Sequence, residues 1–237
     1  VAFVFAIYVM FYTQRSVTIS VQNMYPDYRE LRNLLSIGVP ASFETVSRAV
    51  SINLMLFIVG MFPTEIVAGY GVGIRIFSVV FLPAVAVSEA VETITGQNYG
   101  AGNKERWIKT NNFAAKAMFG LLLSLGIVIW LSADSIAGVF TSDPEVRNVA
   151  KSFVLIVAPT FGFTGVLRAY SGGFRGLGRT KISAVIAILT FAVIRIPIAY
   201  LLSTQIGSSG IWYSFVVSNI GGALLAFTLF MYLKKSY

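Results

Sequence analysis

Long, mainly apolar stretches recur along the chain, and no other feature restricts its fold as strongly. A helix needs roughly 20 such residues to cross a hydrocarbon core of about 30 Å. Candidates of that length lie at 34–60, 66–97, 110–131, 146–170, 181–203 and 210–233. Lipid offers the backbone no hydrogen-bonding partner, so a spanning segment is a helix or part of a closed barrel, and barrel strands are short and strictly alternating. These runs are neither. With 56% hydrophobic and 12% charged residues and a mean hydropathy of +0.77, the chain is far more apolar than a soluble domain. The fold class expected is all-α integral membrane, a bundle of six transmembrane helices. The opening run at 1–12 reaches only about 18 Å as a helix. It is expected to be the end of a preceding transmembrane helix, joined through a linker at 13–33 to the bundle at 34–237.

The charged loops alternate. Arg15, Arg29 and Arg32 precede the first full helix, Lys104, Arg106 and Lys109 follow the second, Arg175, Arg179 and Lys181 follow the fourth, and Lys234 and Lys235 follow the sixth. The loops at 63–65 and 204–209 carry no positive charge, and 132–145 carries only acidic ones. By the positive-inside rule the linker, the basic loops and the C-terminus are cytoplasmic in a multi-pass protein of the cell membrane. The net charge of +8 is therefore read against the bilayer and its anionic headgroups, and no nucleic-acid partner is expected. Cysteine and histidine are both absent. Disulfides, thiolate or imidazole metal sites and Cys-His or Ser-His catalysis are excluded, and no enzyme is expected.

The segment GGFRGLGRTK at 172–181 comes within one residue of the phosphate-binding spacing G-x-x-x-x-G-K-[ST], with Arg179 in the lysine position. A phosphate-binding loop joins a buried strand to a helix, whereas this one joins two membrane spans. The expectation is a tight basic turn, its glycines serving positive φ and close helix approach, and Arg175, Arg179 and Lys181 facing headgroups.

Charges within the spans are costly to bury and become functional candidates. Glu44 and Arg48 stand four residues apart, so on a helix they share a face and can neutralise each other. Glu89 and Glu92 lie on adjacent turns, where they either take up a proton or a cation, or pair with Arg168 and the basic loops. Arg75 and Arg195, each flanked by isoleucines, suit clamping of carbonyls or carboxylates, or an anionic substrate group. Pro40, Pro83, Pro159 and Pro197 remove backbone hydrogen bonds inside candidate spans and are hinge candidates, Pro159 foremost because Gly162 and Gly165 follow it. Phe43, Met55, Phe57, Phe77, Phe81, Phe161 and Phe163 offer an adaptable apolar surface, although packing accounts for most of them.

GVPASFE at 38–44, the run 68–106 with its G-Q-N-Y-G-A-G-N turn at 96–103, and GGFRGLGRT from 172 together resemble the C-terminal half of the multidrug and toxic compound extrusion (MATE) family, in its archaeal and bacterial form. The resemblance implies one six-helix lobe of a twelve-helix transporter whose partner is the N-terminal lobe of the same polypeptide. It implies an antiporter that exports amphipathic organic cations or drugs by alternating access, driven by protons or sodium ions, without a cofactor or ATP. Some members carry coupling carboxylates on the first and fourth helices of this lobe. Glu44 sits on the first, but early, and the fourth has no acidic residue beyond its start. That departure leaves the main coupling carboxylate to the N-terminal lobe. A flippase of lipids or lipid-linked oligosaccharides is the alternative reading, since its cavity carries more cationic residues. A channel or scaffold without a transport cycle is the third. No metal site is assigned.

Overall fold

The computed structural model describes residues 27–236. The expected helix end at 1–12 and most of the linker lie outside the described residues. The chain forms two compact units, 1–36 and 37–237. Of the first, only the start of α1 is described, and the packing below belongs to the second.

Helices follow one another as α1 (Tyr28–Val59), α2 (Thr64–Gly100), α3 (Lys104–Leu131), α4 (Ala133–Phe140), α5 (Pro144–Val157), α6 (Phe161–Gly176), α7 (Thr180–Ala187), α8 (Arg195–Ile206) and α9 (Ser208–Ser236), with no strand among the described residues. Among the described residues, six spans are long and apolar enough to cross a membrane: α1, α2, α3, α5 with α6, α7 with α8, and α9. The six-helix expectation holds, with helices longer than the apolar runs alone suggest. α1 starts at Tyr28 rather than 34, where the Asp27 carboxylate accepts from the Arg29 amide at 2.8 Å and fills one of the orphan N-terminal donors.

Local chemistry sets the boundaries. Gly102, at φ 71°, turns the chain after α2, and Asn103 caps α3 by accepting from the Arg106 amide at 3.1 Å. Asp143 caps α5 through the Glu145 and Val146 amides, with Pro144 in the first helical turn, where its missing N–H costs nothing. The stretch 132–145, expected as a loop, holds the short helix α4, which buries Ala133 and Ala137.

Two spans are broken. At Ala158–Thr160 a 3₁₀ turn separates α5 from α6 around Pro159. Pro159 has no N–H for the Leu155 carbonyl, and the Trp130 indole donates to that oxygen at 3.2 Å instead. Between α7 and α8 the chain widens into a π-helical stretch, Ile188–Ile194, just before Pro197. A proline ring crowds the carbonyl four residues earlier, here Val193, and a widened turn relieves that clash. Within the same stretch the Phe191 carbonyl accepts from Ser51 on α1 at 2.8 Å. Pro40 and Pro83 instead lie inside continuous helices.

The α5–α6 span is central. It buries 56% of its most apolar stretch, against 28–33% for the other five. Glycines make that possible, because small residues let backbones approach where lipid supplies no hydrophobic force. A Cβ at Gly172 would stand 2.2 Å from the Ser88 carbonyl oxygen, and one at Gly176 would stand 2.4 Å from that of Glu92, both on α2. Gly162 and Gly165 are likewise pressed against Phe119 and Met118 of α3. Two apolar cores follow one another along the helices, one around Phe153, Phe161, Trp212 and Phe215, the other around Trp107, Tyr170, Phe174 and Phe230.

Candidate functional site

Two cavities adjoin where α6 packs against α2, one between α1, α2 and α6, the other reaching also to the π-helical stretch, α8 and α9. The first, about 330 Å³, is ionic: Glu44, Glu89 and Glu92 face Arg48, Arg168 and Arg175. The second, about 310 Å³, is mainly aromatic and apolar, with Phe77, Phe81, Phe191, Phe215 and Met55 in its wall and Arg48, Arg168 and Arg195 as its charged members. Thr45, Arg48 and Arg168 border both.

Glu44 is the node of the ionic cavity. Its buried carboxylate accepts from Arg175 Nη1 at 2.9 and 3.0 Å, from Arg168 Nη1 at 3.3 Å and from the Ser183 hydroxyl of α7. Arg175 also donates through Nε to Glu92 at 2.7 Å and through Nη2 to Ser88 at 2.9 Å. Ser88 in turn donates to the Arg168 carbonyl at 2.8 Å. Four elements, α1, α2, α6 and α7, thus meet at one charge-assisted network. Arg168 and Arg175 reach the same carboxylate because seven residues on a helix make about two turns.

Two expectations are corrected here. Glu44 pairs with Arg168 and Arg175 and not with Arg48. The i,i+4 spacing permits the local pair, but the carboxylate accepts instead from Arg168, which is buried, and from Arg175, which is half-buried, both on α6. Arg48 forms no ion pair among the described residues, and its Cζ lies 4.9 Å from the centroid of the Phe81 ring. Arg175 does not face headgroups. Gly172 and Gly173 read as turn residues in sequence, yet they are packing glycines inside α6, so Arg175 lies within the helix and points inward. The turn proper is narrower, with Gly178 at φ 70°.

The other candidates separate. Glu92 is paired and Glu89 is exposed within the ionic cavity. Arg195 is buried, donates to Ser218 at 2.8 Å and Asn219 at 3.0 Å, and lies over the rings of Phe191 and Phe215 at 5.0 and 4.3 Å. Arg75 is exposed, off the stripe of Val72, Ile76, Val80 and Ala84 that packs inward, and clamps nothing among the described residues. Of the apolar candidates, Met55, Phe77 and Phe81 line the aromatic cavity, Phe43 and Phe57 point outward, and Phe163 packs on Phe119. Ser88, Thr164 and Ser183 escaped sequence reasoning, since an isolated hydroxyl in a span carries no local signal. No group of His, Cys, Asp and Glu suited to a metal occurs among the described residues.

The MatE family model matches residues 40–201, more than half of the chain and every helix that builds the ionic cavity. The chain belongs to the MatE family. Among its MatE relatives, a probable multidrug resistance protein NorM of Thermotoga maritima is 26% identical, over 87% of this chain and 45% of the relative. The probable multidrug resistance protein YpnP of Bacillus subtilis is 25% identical, over 95% and 51%. The chain thus spans about half the length of these relatives, and corresponds to their C-terminal half. The fold matches a MATE crystal structure in the straight conformation with a TM-score of 0.92, at 22% identity over 98% of this chain and 53% of that one. It also matches the Vibrio cholerae MATE transporter VcmN in the bent form, with a TM-score of 0.85 at 21% identity over 92% and 50%.

Proposed function

We propose that this chain is one lobe of a secondary active transporter that moves amphipathic organic molecules out of the cell by alternating access, coupled to inward flow of protons or sodium ions. The observation that carries the reading is the buried network on Glu44. A carboxylate shared by two guanidiniums and a hydroxyl joins α1, α6 and α7, Arg175 extends the network to α2, and the strength of the network depends on the charge of that carboxylate. A proton on Glu44, or a cation held by Glu89 and Glu92, weakens the grip of Arg175 and so favours a different packing of α1 and α2 on α6. An ion that binds two packings unequally shifts the balance between them, which is the physical content of coupling. The N-terminal half of the full-length polypeptide supplies the second lobe and the opposite wall of the path. The basic loops and the C-terminus face the cytoplasm. The names of the relatives support drugs as cargo.

Reconstitution of the full-length protein in vesicles, with a fluorescent cationic dye as cargo and an imposed proton or sodium gradient, tests this reading. Gradient-dependent dye movement is expected, and it should fall markedly in Glu44→Gln. Dye movement indifferent to both gradients in the wild type would sink the reading. A second reading, a lipid flippase, is favoured by one observation: the aromatic cavity is lined by three arginines and no carboxylate. Gradient-independent movement of an anionic lipid between leaflets is its signature.

A further inference from the structure

All charged side chains lining the aromatic cavity are arginines, so this cavity suits an anion, and a cationic cargo has its counter-charges in the ionic cavity or the opposite lobe. Its mouth lies at the exposed residues Thr45, Ile52 and Ser78, and its floor is buried. Arg48 and Arg168 both lie over the same Phe81 ring, with their Cζ atoms 4.9 and 4.5 Å from its centroid. Two like charges so close, at membrane depth, repel strongly unless an anion stands with them. Glu44 meets that need for Arg168 from the ionic side, through Nη1. Nothing meets it for Arg48, which forms no ion pair among the described residues.

Two further polar groups are left without partners at the same place. Among the described residues, Arg168, 9% exposed, has a buried Nε with no hydrogen-bond acceptor, and the buried hydroxyl of Thr164 has no partner. Both residues line the aromatic cavity, and four residues apart on α6 they share a face. A buried N–H or O–H without a partner is rare enough to need an explanation. Here the two stand beside an unpaired guanidinium at the edge of an apolar chamber.

We propose that this cavity binds an amphiphile with a single anionic head, a carboxylate or a phosphate. Arg48 and the Nε of Arg168 donate to the head oxygens, and Thr164 completes the set. Phe77, Phe81, Phe215 and Met55 cover the apolar body, and Arg195, stacked over the Phe215 ring in the same wall, adds to the positive potential. As the identity of a transported cargo, the inference rests on the transporter reading above; as a binding site, it stands without it. The same head chemistry comes from a bilayer lipid or from a soluble organic acid.

The test uses the full-length protein in nanodiscs of zwitterionic lipid, with 11-(dansylamino)undecanoic acid as the probe. Its primary amide and a quaternary ammonium probe of equal chain length are the controls. The acid is expected to bind more tightly than either control. Arg48→Gln should weaken acid binding roughly tenfold or more, as expected for loss of a charge-assisted hydrogen bond, and leave the amide unchanged. Thr164→Val should weaken the acid by a smaller factor, which guards against a misfolded first variant. Equal binding of acid and ammonium probes, or acid binding untouched by Arg48→Gln, overturns the site. Nanodiscs containing phosphatidylglycerol separate the sources: competition with the probe identifies a bilayer lipid, and undiminished probe binding identifies a soluble acid. No gradient is imposed, so the outcome is independent of the vesicle assay. Acid binding without gradient-driven transport keeps the site and removes the transporter, and the converse keeps the transporter and removes the site.

Discussion

The two cavities share helices, a threonine and two arginines, yet they treat charge in opposite ways. In the ionic cavity, carboxylates and guanidiniums are balanced, and Arg175 is satisfied at three of its nitrogens. One turn further along α1, the aromatic cavity has guanidiniums and no carboxylate. The balanced cavity carries its own counter-charges and so contributes to holding α1, α2, α6 and α7 together. The unbalanced one leaves work for a ligand. Arg48 and Arg168 border both, and of the two only Arg168 has a carboxylate partner among the described residues.

Breaking the balanced side should have the largest effect. Glu44→Gln leaves Arg168 and Arg175 without their shared counter-charge, and removing one partner of a buried pair costs about 3–5 kcal/mol. A clear fall in the Tm of the full-length protein in detergent is expected. The double variant Glu44→Gln with Arg175→Gln should recover part of it, since removing both charges costs less than stranding one. A Tm unchanged by Glu44→Gln would show that the network does not hold the helices together.

Gly172→Ala asks whether close backbone approach sets the geometry. Its Cβ would collide with the Ser88 carbonyl, and overpacking of this kind costs about 1–3 kcal/mol. α2 must move outward, carrying Ser88 and Glu92 away from Arg175. Transport should therefore suffer more than acid-probe binding in the neighbouring cavity. Equal loss of both would merge the two cavities into one functional unit.

The smallest effect serves as a control at the far end of the bundle. Asp134 of α4 meets Arg147 and Lys151 of α5, the latter at 3.4 Å. Desolvation raises its pKa, but the hydrogen bond from Lys151 and the charges of Arg147 and Lys151 together outweigh it, holding the carboxyl below its usual range. A folded pKa below the unfolded one stabilises above the ordinary carboxylate range and is lost as pH falls through the lowered value. Asp134→Asn should lower Tm slightly at pH 7, with the gap to wild type closing on acidification, and both cavities should be unaffected. A gap that persists in acid would assign the loss to packing.

The spans, the all-helical class and the grouping of basic loops were legible because hydropathy adds up locally along the chain, and lipid punishes any unpaired backbone group wherever it lies. The turn at Gly102, the cap at Asn103 and the breaks near Pro159 and Pro197 follow from residues within a turn or two. The family was legible as well, in short glycine-containing stretches that resemble it, although overall identity to the relatives is only 25–26%. The partner of Glu44 was not. Spacing along α1 offered Arg48, while the partners that hold it lie 124 and 131 residues away. They arrive there because Gly172 and Gly176 let α6 sink against α2, which turns Arg168 and Arg175 toward α1. Which face of a helix a charge occupies is set by periodicity, but which opposite charge it meets is set by how closely two backbones approach. In a membrane that distance is decided by small residues on distant helices, and only the assembled bundle reveals it.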